Sequence, residues 1–116
     1  MHDKVFLKKT AWPEFGMPDS RVPEPPVTEL EMRLEKCGDF MDSRSLTHMV
    51  VYGDREHFAN LMYMTHFDPR FEEALLIVGM EGKPLILVGN ECVGHLRMSP
   101  LYNSGKLRYE RYQPFS

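Results

Sequence analysis

His95 follows Cys92 by three residues and Glu91 by four, so on a helix these side chains would share one face. That spacing suits a transition-metal site built from thiolate, imidazole and carboxylate donors. No clear fourth ligand accompanies them, and the simpler reading makes Cys92 a small core residue and His95 a surface one. His57 and His66 stand nine positions apart, without the His-Glu-x-x-His frame of a zinc-binding helix. A thiol nucleophile at Cys37 or Cys92 would need an adjacent base or a positive local field. Cys37 lies on an apolar stripe, where burial works in the opposite direction. Asp68, Arg70, Glu72 and Glu73 crowd together just before an apolar run, and read first as a salt-bridged loop. Gly79, Gly82 and Gly89 punctuate strands and make no GxGxxG phosphate loop. Neither a catalytic group nor a metal site is expected from these residues.

The elements that would position them can be read from periodicity. Residues 1–26 contain Pro13, Pro18, Pro23, Pro25 and Pro26, which disfavour helix and remove backbone donors, so this segment is expected to be an extended arm. Trp12, Phe15 and Met17 are apolar enough to pin it to a surface. Thr28-Glu29-Leu30-Glu31 has the form of a capping box. Leu30, Leu34, Cys37 and Met41 then make one apolar helical stripe, with Gly38 a place where the helix could bend. Met49–Tyr52 reads as a buried strand, and Asp54 as the N-cap of a second helix carrying Phe58, Leu61, Met62 and Thr65, with His57 in its first turn. Ala74–Val78 is a continuous apolar strand, expected to be covered on both faces. A turn at residues 80–83 leads to a partner strand at residues 84–88, whose Pro84 suits a first strand position. Residues 90–105 form a loop or short helix. Residues 107–112 form a more polar strand near a sheet edge. The predicted fold is α/β, a mixed sheet flanked by helices over residues 27–116.

Composition narrows the function classes. One domain with one modest core fits within 116 residues. A net charge of −3 argues against general nucleic-acid binding, which needs a basic surface. No apolar run approaches the roughly 20 residues that cross a bilayer. The N-terminal lysines lack the apolar core of a secretory signal. Two cysteines make no disulfide framework, so reduced thiols and a cytoplasmic location are expected. The numerous methionines are read as core filling.

Three words go beyond topology. Val50-Val51-Tyr52-Gly53-Asp54-Arg55-Glu56-His57, with Asn60 and Tyr63, is one. Phe67-Asp68-Pro69-Arg70-Phe71-Glu72-Glu73-Ala74-Leu75-Leu76 is the second, and Val88-Gly89-Asn90-Glu91-Cys92 the third. They resemble the N-terminal domain of the creatinase / prolidase / aminopeptidase P family, over about residues 28–116. His66 departs from the pattern, standing where the resemblance expects glycine; a position needing φ > 0 would strain it. The family's N-terminal domain also continues with a further helix and strand, so a truncated sheet with an open edge is expected.

The resemblance implies that the chemistry belongs to a separate C-terminal domain, absent from these 116 residues. In the family that domain binds two divalent metal ions through two Asp, one His and two Glu; creatinase uses the same fold without metal. By the same resemblance, the chain is a non-catalytic domain or fragment of an Xaa-Pro peptidase-like or creatinase-like hydrolase, inactive alone and without a cofactor of its own. It would support homo-oligomer assembly and shape the partner subunit's substrate entrance, meeting a peptide or small-molecule substrate only through the parent catalytic domain. His66, Phe67, Arg70 and Phe71 are then the entrance candidates, with Arg70 as a bidentate partner for a substrate carboxylate and the aromatics as wall. The rival expectation is a free-standing α/β interaction module binding a peptide or small anion at residues 67–73. A third is a small metalloenzyme using Glu91, Cys92 and His95.

Overall fold

A computed structural model of the protein describes residues 3–16 and 23–116. Helix α1 (Val27–Ser43) is followed by strand β1 (His48–Gly53), helix α2 (Ala59–Thr65), and strands β2 (Ala74–Gly79) and β3 (Leu85–Val88). A 3₁₀ segment (Val93–Met98) and the one-turn helix α3 (Pro100–Asn103) then carry the chain to strand β4 (Arg108–Arg111). The four strands lie in sequence order, with β1–β2 and β2–β3 antiparallel and β3–β4 parallel. This is the mixed α/β sheet that the apolar periodicities predict.

The parallel pairing of β4 obliges the chain to cross over the sheet, because a tight turn can join only antiparallel neighbours. Val93–Met98 and α3 make that crossover, and they bring Leu96 and Leu101 into the core. Leu30, Cys37 and Met41 arrive from α1, and Leu61 and Met64 from α2. They meet Ala74, Leu76 and Val78 of β2 and Ile86 and Val88 of β3.

All of these contacts fall on one side of the sheet. The other side carries Val50 and Tyr52 of β1, Leu75 and Ile77 of β2, and Leu85 and Leu87 of β3, set opposite one another by the register. Val50 remains 57% exposed. The expectation of cover on both faces is therefore corrected. Hairpins need no crossover helix, and the helices that do occur all lie on one face.

Two helix starts also differ from expectation. Helix α1 begins at Val27 with Pro26 as its N-cap, and no side chain caps it. Pro26, at φ −64° and ψ 153°, is already extended, and its carbonyl accepts the Glu29 amide at 3.0 Å. Glu31 pairs with Lys106 from the segment before β4 instead of closing a box with Thr28. Asp54 caps a turn, not α2: its Oδ1 accepts the amides of Glu56 at 2.9 Å and His57 at 2.6 Å. Helix α2 starts five residues later at Ala59, so His57 lies outside it. Gly38 does not end α1, which runs on to Ser43.

Residues 3–16 and 23–26 hold no helix or strand. Trp12 is 88% exposed and Phe15 85%, so neither pins the arm to the domain; Met17 lies outside the described residues.

Candidate functional site: an arginine cleft at one end of the sheet

The loop from α2 to β2 is shaped by local hydrogen bonds that its own residues supply. His66 ends α2 in the left-handed region (φ 56°, ψ 33°), and its amide donates to the Met62 carbonyl at 2.7 Å. Glycine is the usual occupant of such a helix end, since it has no Cβ to crowd the carbonyl. The mismatch at His66 noted from the sequence thus coincides with a real positive φ. Thr65 Oγ donates to the Leu61 carbonyl at 2.7 Å and accepts the Phe67 amide at 3.1 Å, turning the chain inward. Phe67 is consequently fully buried. Asp68 Oδ1 then accepts the Arg70 amide at 2.7 Å and holds Arg70 at φ 61°. A second non-glycine residue with positive φ within five positions is uncommon, and such backbone conformations concentrate at functional loops.

The opposing wall is the turn after β1. Tyr52 Oη donates to Glu73 Oε1 at 2.6 Å, with Asp54 Oδ2 3.4 Å away. This ties the end of β1 and the Asp54 turn to the start of β2. Between the two loops opens a cleft of about 420 Å³ lined by Arg55, Asp68, Arg70 and Phe71. Phe71 is 61% exposed. Among the described residues, neither Arg55 nor Arg70 has a carboxylate partner within ion-pair distance. Two free guanidiniums beside an exposed aromatic ring offer bidentate donors to an anion and an apolar contact to whatever carries it.

The expected charge cluster is thus divided. Arg70 and Phe71 reach the cleft, Phe67 belongs to the core, and His66 is a helix terminus. Glu72 is buried, accepting the Cys92 amide at 3.0 Å and the Glu91 amide at 3.2 Å across the molecule. Neither Glu72 nor Glu73 forms a salt bridge within the loop, among the described residues. Arg55 is the lining residue that the sequence reading did not single out. Its signal is its place in the charged run Asp54–His57, directly after a strand that pairs with β2.

The two pKa shifts near this loop follow from its hydrogen bonds. The bond from Tyr52 to Glu73 stabilises the neutral phenol and pushes its pKa up to about 12. Amide donation, from His57 first, holds the Asp54 carboxyl below its ordinary value. For Tyr52, the folded-state pKa exceeds the ordinary tyrosine value of 10.0, so the contribution to stability is intact below about pH 10 and is lost as pH rises toward 12. An ultraviolet titration of the native protein should therefore show one tyrosine ionising late, and Tyr52→Phe should remove that step.

The other sequence candidates separate in space. Cys92 is fully buried, with its thiol donating to the Pro69 carbonyl at 2.7 Å. Burial, with Glu72 close by, pushes the Cys92 pKa up to about 12. Burial alone raises that of Cys37. Both thiols are free, and neither has the positive surroundings that a nucleophile needs. Glu91 and His95 point to solvent. Among the described residues, no group of three or more His, Cys, Asp or Glu side chains is placed to hold a metal ion. No helix among them is long and apolar enough to cross a membrane. A larger cleft of about 580 Å³ lies between α1 and the β2–β3 turn. Its carboxylates, Glu35, Asp39 and Asp42, repeat at helical spacing along one solvated face of α1, with no facing base or cation among the lining residues.

No protein-family model matches this chain, and no curated protein does. Among solved structures, it is similar to the crystal structure of dipeptidase PepE from Mycobacterium ulcerans, with 16% sequence identity and a TM-score of 0.59. The match covers 72% of this chain and 22% of that one, so this chain spans about a fifth of the length of the dipeptidase. At that identity the two share an α/β fold.

Proposed function

We propose that this chain is a non-catalytic recognition domain of a peptidase-like hydrolase, of the creatinase / prolidase / aminopeptidase P N-terminal type. In this reading its Arg55–Arg70–Phe71 cleft lies at the substrate entrance of a subunit that carries the chemistry, and the domain also supports assembly of a dimer. The observation that carries it is the convergence, on the two loops at one end of the sheet, of an exposed aromatic ring and two guanidiniums that have no carboxylate partner among the described residues. The fold shared with part of a dipeptidase structure supports the same reading. Arg70 and Arg55 would grip a peptide carboxylate, and Phe71 would contact the adjoining side chain. His66 would set the loop's exit from α2, and Phe67 would support the wall from beneath. The two reduced, buried thiols fit a cytoplasmic setting.

Titrating the isotopically labelled chain with the dipeptide Ala-Pro should perturb the amides of Arg55 and of residues 68–71. Arg70→Ala should weaken binding by about tenfold, the scale of a lost charge-assisted hydrogen bond. The amidated dipeptide, which lacks the carboxylate, should bind as poorly. Equal binding of the acid and the amide would remove the arginine clamp. The purified chain should leave Xaa-Pro peptides intact with or without Mn²⁺ or Co²⁺, and metal-dependent cleavage would overturn the non-catalytic assignment.

A further inference from the structure

We infer that the open face of the sheet is the docking site for the N-terminal arm of a second copy of this chain, the two copies exchanging arms about a two-fold axis. The inference deepens the assembly role above by assigning its surface, and it uses none of the four residues that line the arginine cleft.

The chain presents two apolar surfaces that lack cover. One is the sheet face, where among the described residues Val50 and Tyr52 are exposed and Leu75, Ile77, Leu85 and Leu87 are half-buried. The other is the arm, where Val5, Phe6 and Leu7 form one apolar word and Trp12 with Phe15 another, all of them exposed. Contiguous apolar faces on soluble proteins commonly mark interaction sites. The arm's own domain does not cover these side chains, which leaves a second molecule to do so.

Area decides between a bare face-to-face contact and arm exchange. Four strands spaced about 4.8 Å apart, each about 13–20 Å long, give a face on the order of 250–400 Å². A stable interface takes about 800 Å² from each partner. The face alone therefore falls short by about half or more. Residues 3–16, extended, span about 45 Å, more than twice the width of the sheet, and add an area of the same order. Reciprocal exchange uses the face and the arm of both copies, and reaches the required size with closed two-fold symmetry.

Charge points the same way. Residues 27–116 carry ten Lys and Arg against thirteen Asp and Glu, net −3. Residues 3–16 carry Lys4, Lys8 and Lys9 against Asp3 and Glu14, net +1. Glu73 and Asp54 stand around Tyr52 at one end of the open face, the acidic end; on the β4 border Glu110 stands opposite Leu87 and Arg108 opposite Leu85. Lys8 and Lys9, between the two apolar words, would meet carboxylates at this rim.

The chain holds its own reporter, because Trp12 is its single tryptophan. Sedimentation of the full chain over a range of concentrations should show a monomer–dimer equilibrium, with Trp12 emission moving to the blue as the dimer forms. Trp12→Glu/Phe15→Glu in the arm, and separately Val50→Glu on the face, should each weaken dimerisation by at least about tenfold. All three positions are exposed, so circular dichroism should report an unchanged fold. A protein that stays monomeric with solvent-exposed Trp12 overturns the inference. So does a monomer with blue-shifted Trp12 at every concentration, which would mean the arm folds onto its own sheet. A dimer indifferent to the arm substitutions overturns it as well. Dipeptide binding at Arg70 should survive Trp12→Glu/Phe15→Glu, so the failure of either idea can be told from failure of the other.

Discussion

Phe67→Ala should destabilise the protein by about 3–5 kcal/mol, the usual cost of emptying a fully buried aromatic site. The ring lies at zero exposure within the same core as Leu61, Leu76 and Leu96. Domains of this size have about 5–15 kcal/mol in total, so the variant should lose about 10–20 °C in melting temperature or fail to fold. Phe71→Ala, four residues on and 61% exposed, should change stability by no more than about 0.5 kcal/mol, while weakening dipeptide binding. Urea unfolding followed by circular dichroism measures both; fluorescence does not serve, since the single tryptophan lies on the arm. A loss below about 1 kcal/mol for Phe67→Ala would show that the ring is not part of the core. The pair of variants also separates wall from support in the candidate cleft.

The second large effect is expected at Glu72. Its carboxylate is buried and accepts the amides of Cys92 and Glu91, which fixes the turn after β3 to the loop that carries Arg70 and Phe71. Glu72→Ala leaves the Cys92 amide only its bond to the Gly89 carbonyl at 3.2 Å and takes the carboxylate from the Glu91 amide; losing hydrogen bonds to a charged group costs about 1.5–3 kcal/mol. Glu72→Gln keeps one acceptor oxygen and should lose about half as much. Gly89 presses on the same carboxylate: a Cβ there would stand 2.4 Å from Glu72 Oε2. A free side chain could swing away, but Glu72 is held by two backbone bonds, so Gly89→Ala should destabilise on a similar scale. Combined with Glu72→Ala, the Gly89→Ala penalty should shrink, since the smaller side chain makes room and leaves only the contact with Ser116 Oγ, at 2.9 Å from the added Cβ. Additive losses in that cycle would show that the two positions do not share the contact.

Much of the architecture was legible in local pattern. The stripe Leu30, Cys37 and Met41 marks the buried face of α1, and the apolar runs at residues 49–52, 74–78 and 84–88 mark three strands, because burial imposes a period on each element separately. The polar character of residues 107–112 marked an edge strand for the same reason. At His66 the resemblance pointed to an unusual position, where glycine was expected, but only the structure shows its positive φ.

What the residues could not announce depends on partners distant in sequence. Glu72 reads as one more loop carboxylate until β3 brings Glu91 and Cys92 beside it. Phe67 and Phe71 look alike along the chain, and only the turn made by Thr65 sends one inward and leaves the other out. Arg55 joins Arg70 because Tyr52 and Glu73 tie two loops together. Which face of the sheet stays open is decided by where three helices pack, and an apolar strand looks the same whether its outer side meets a helix or water. Hydrophobic period is a property of single elements, whereas charge pairing, burial depth and convergence are properties of the assembled chain.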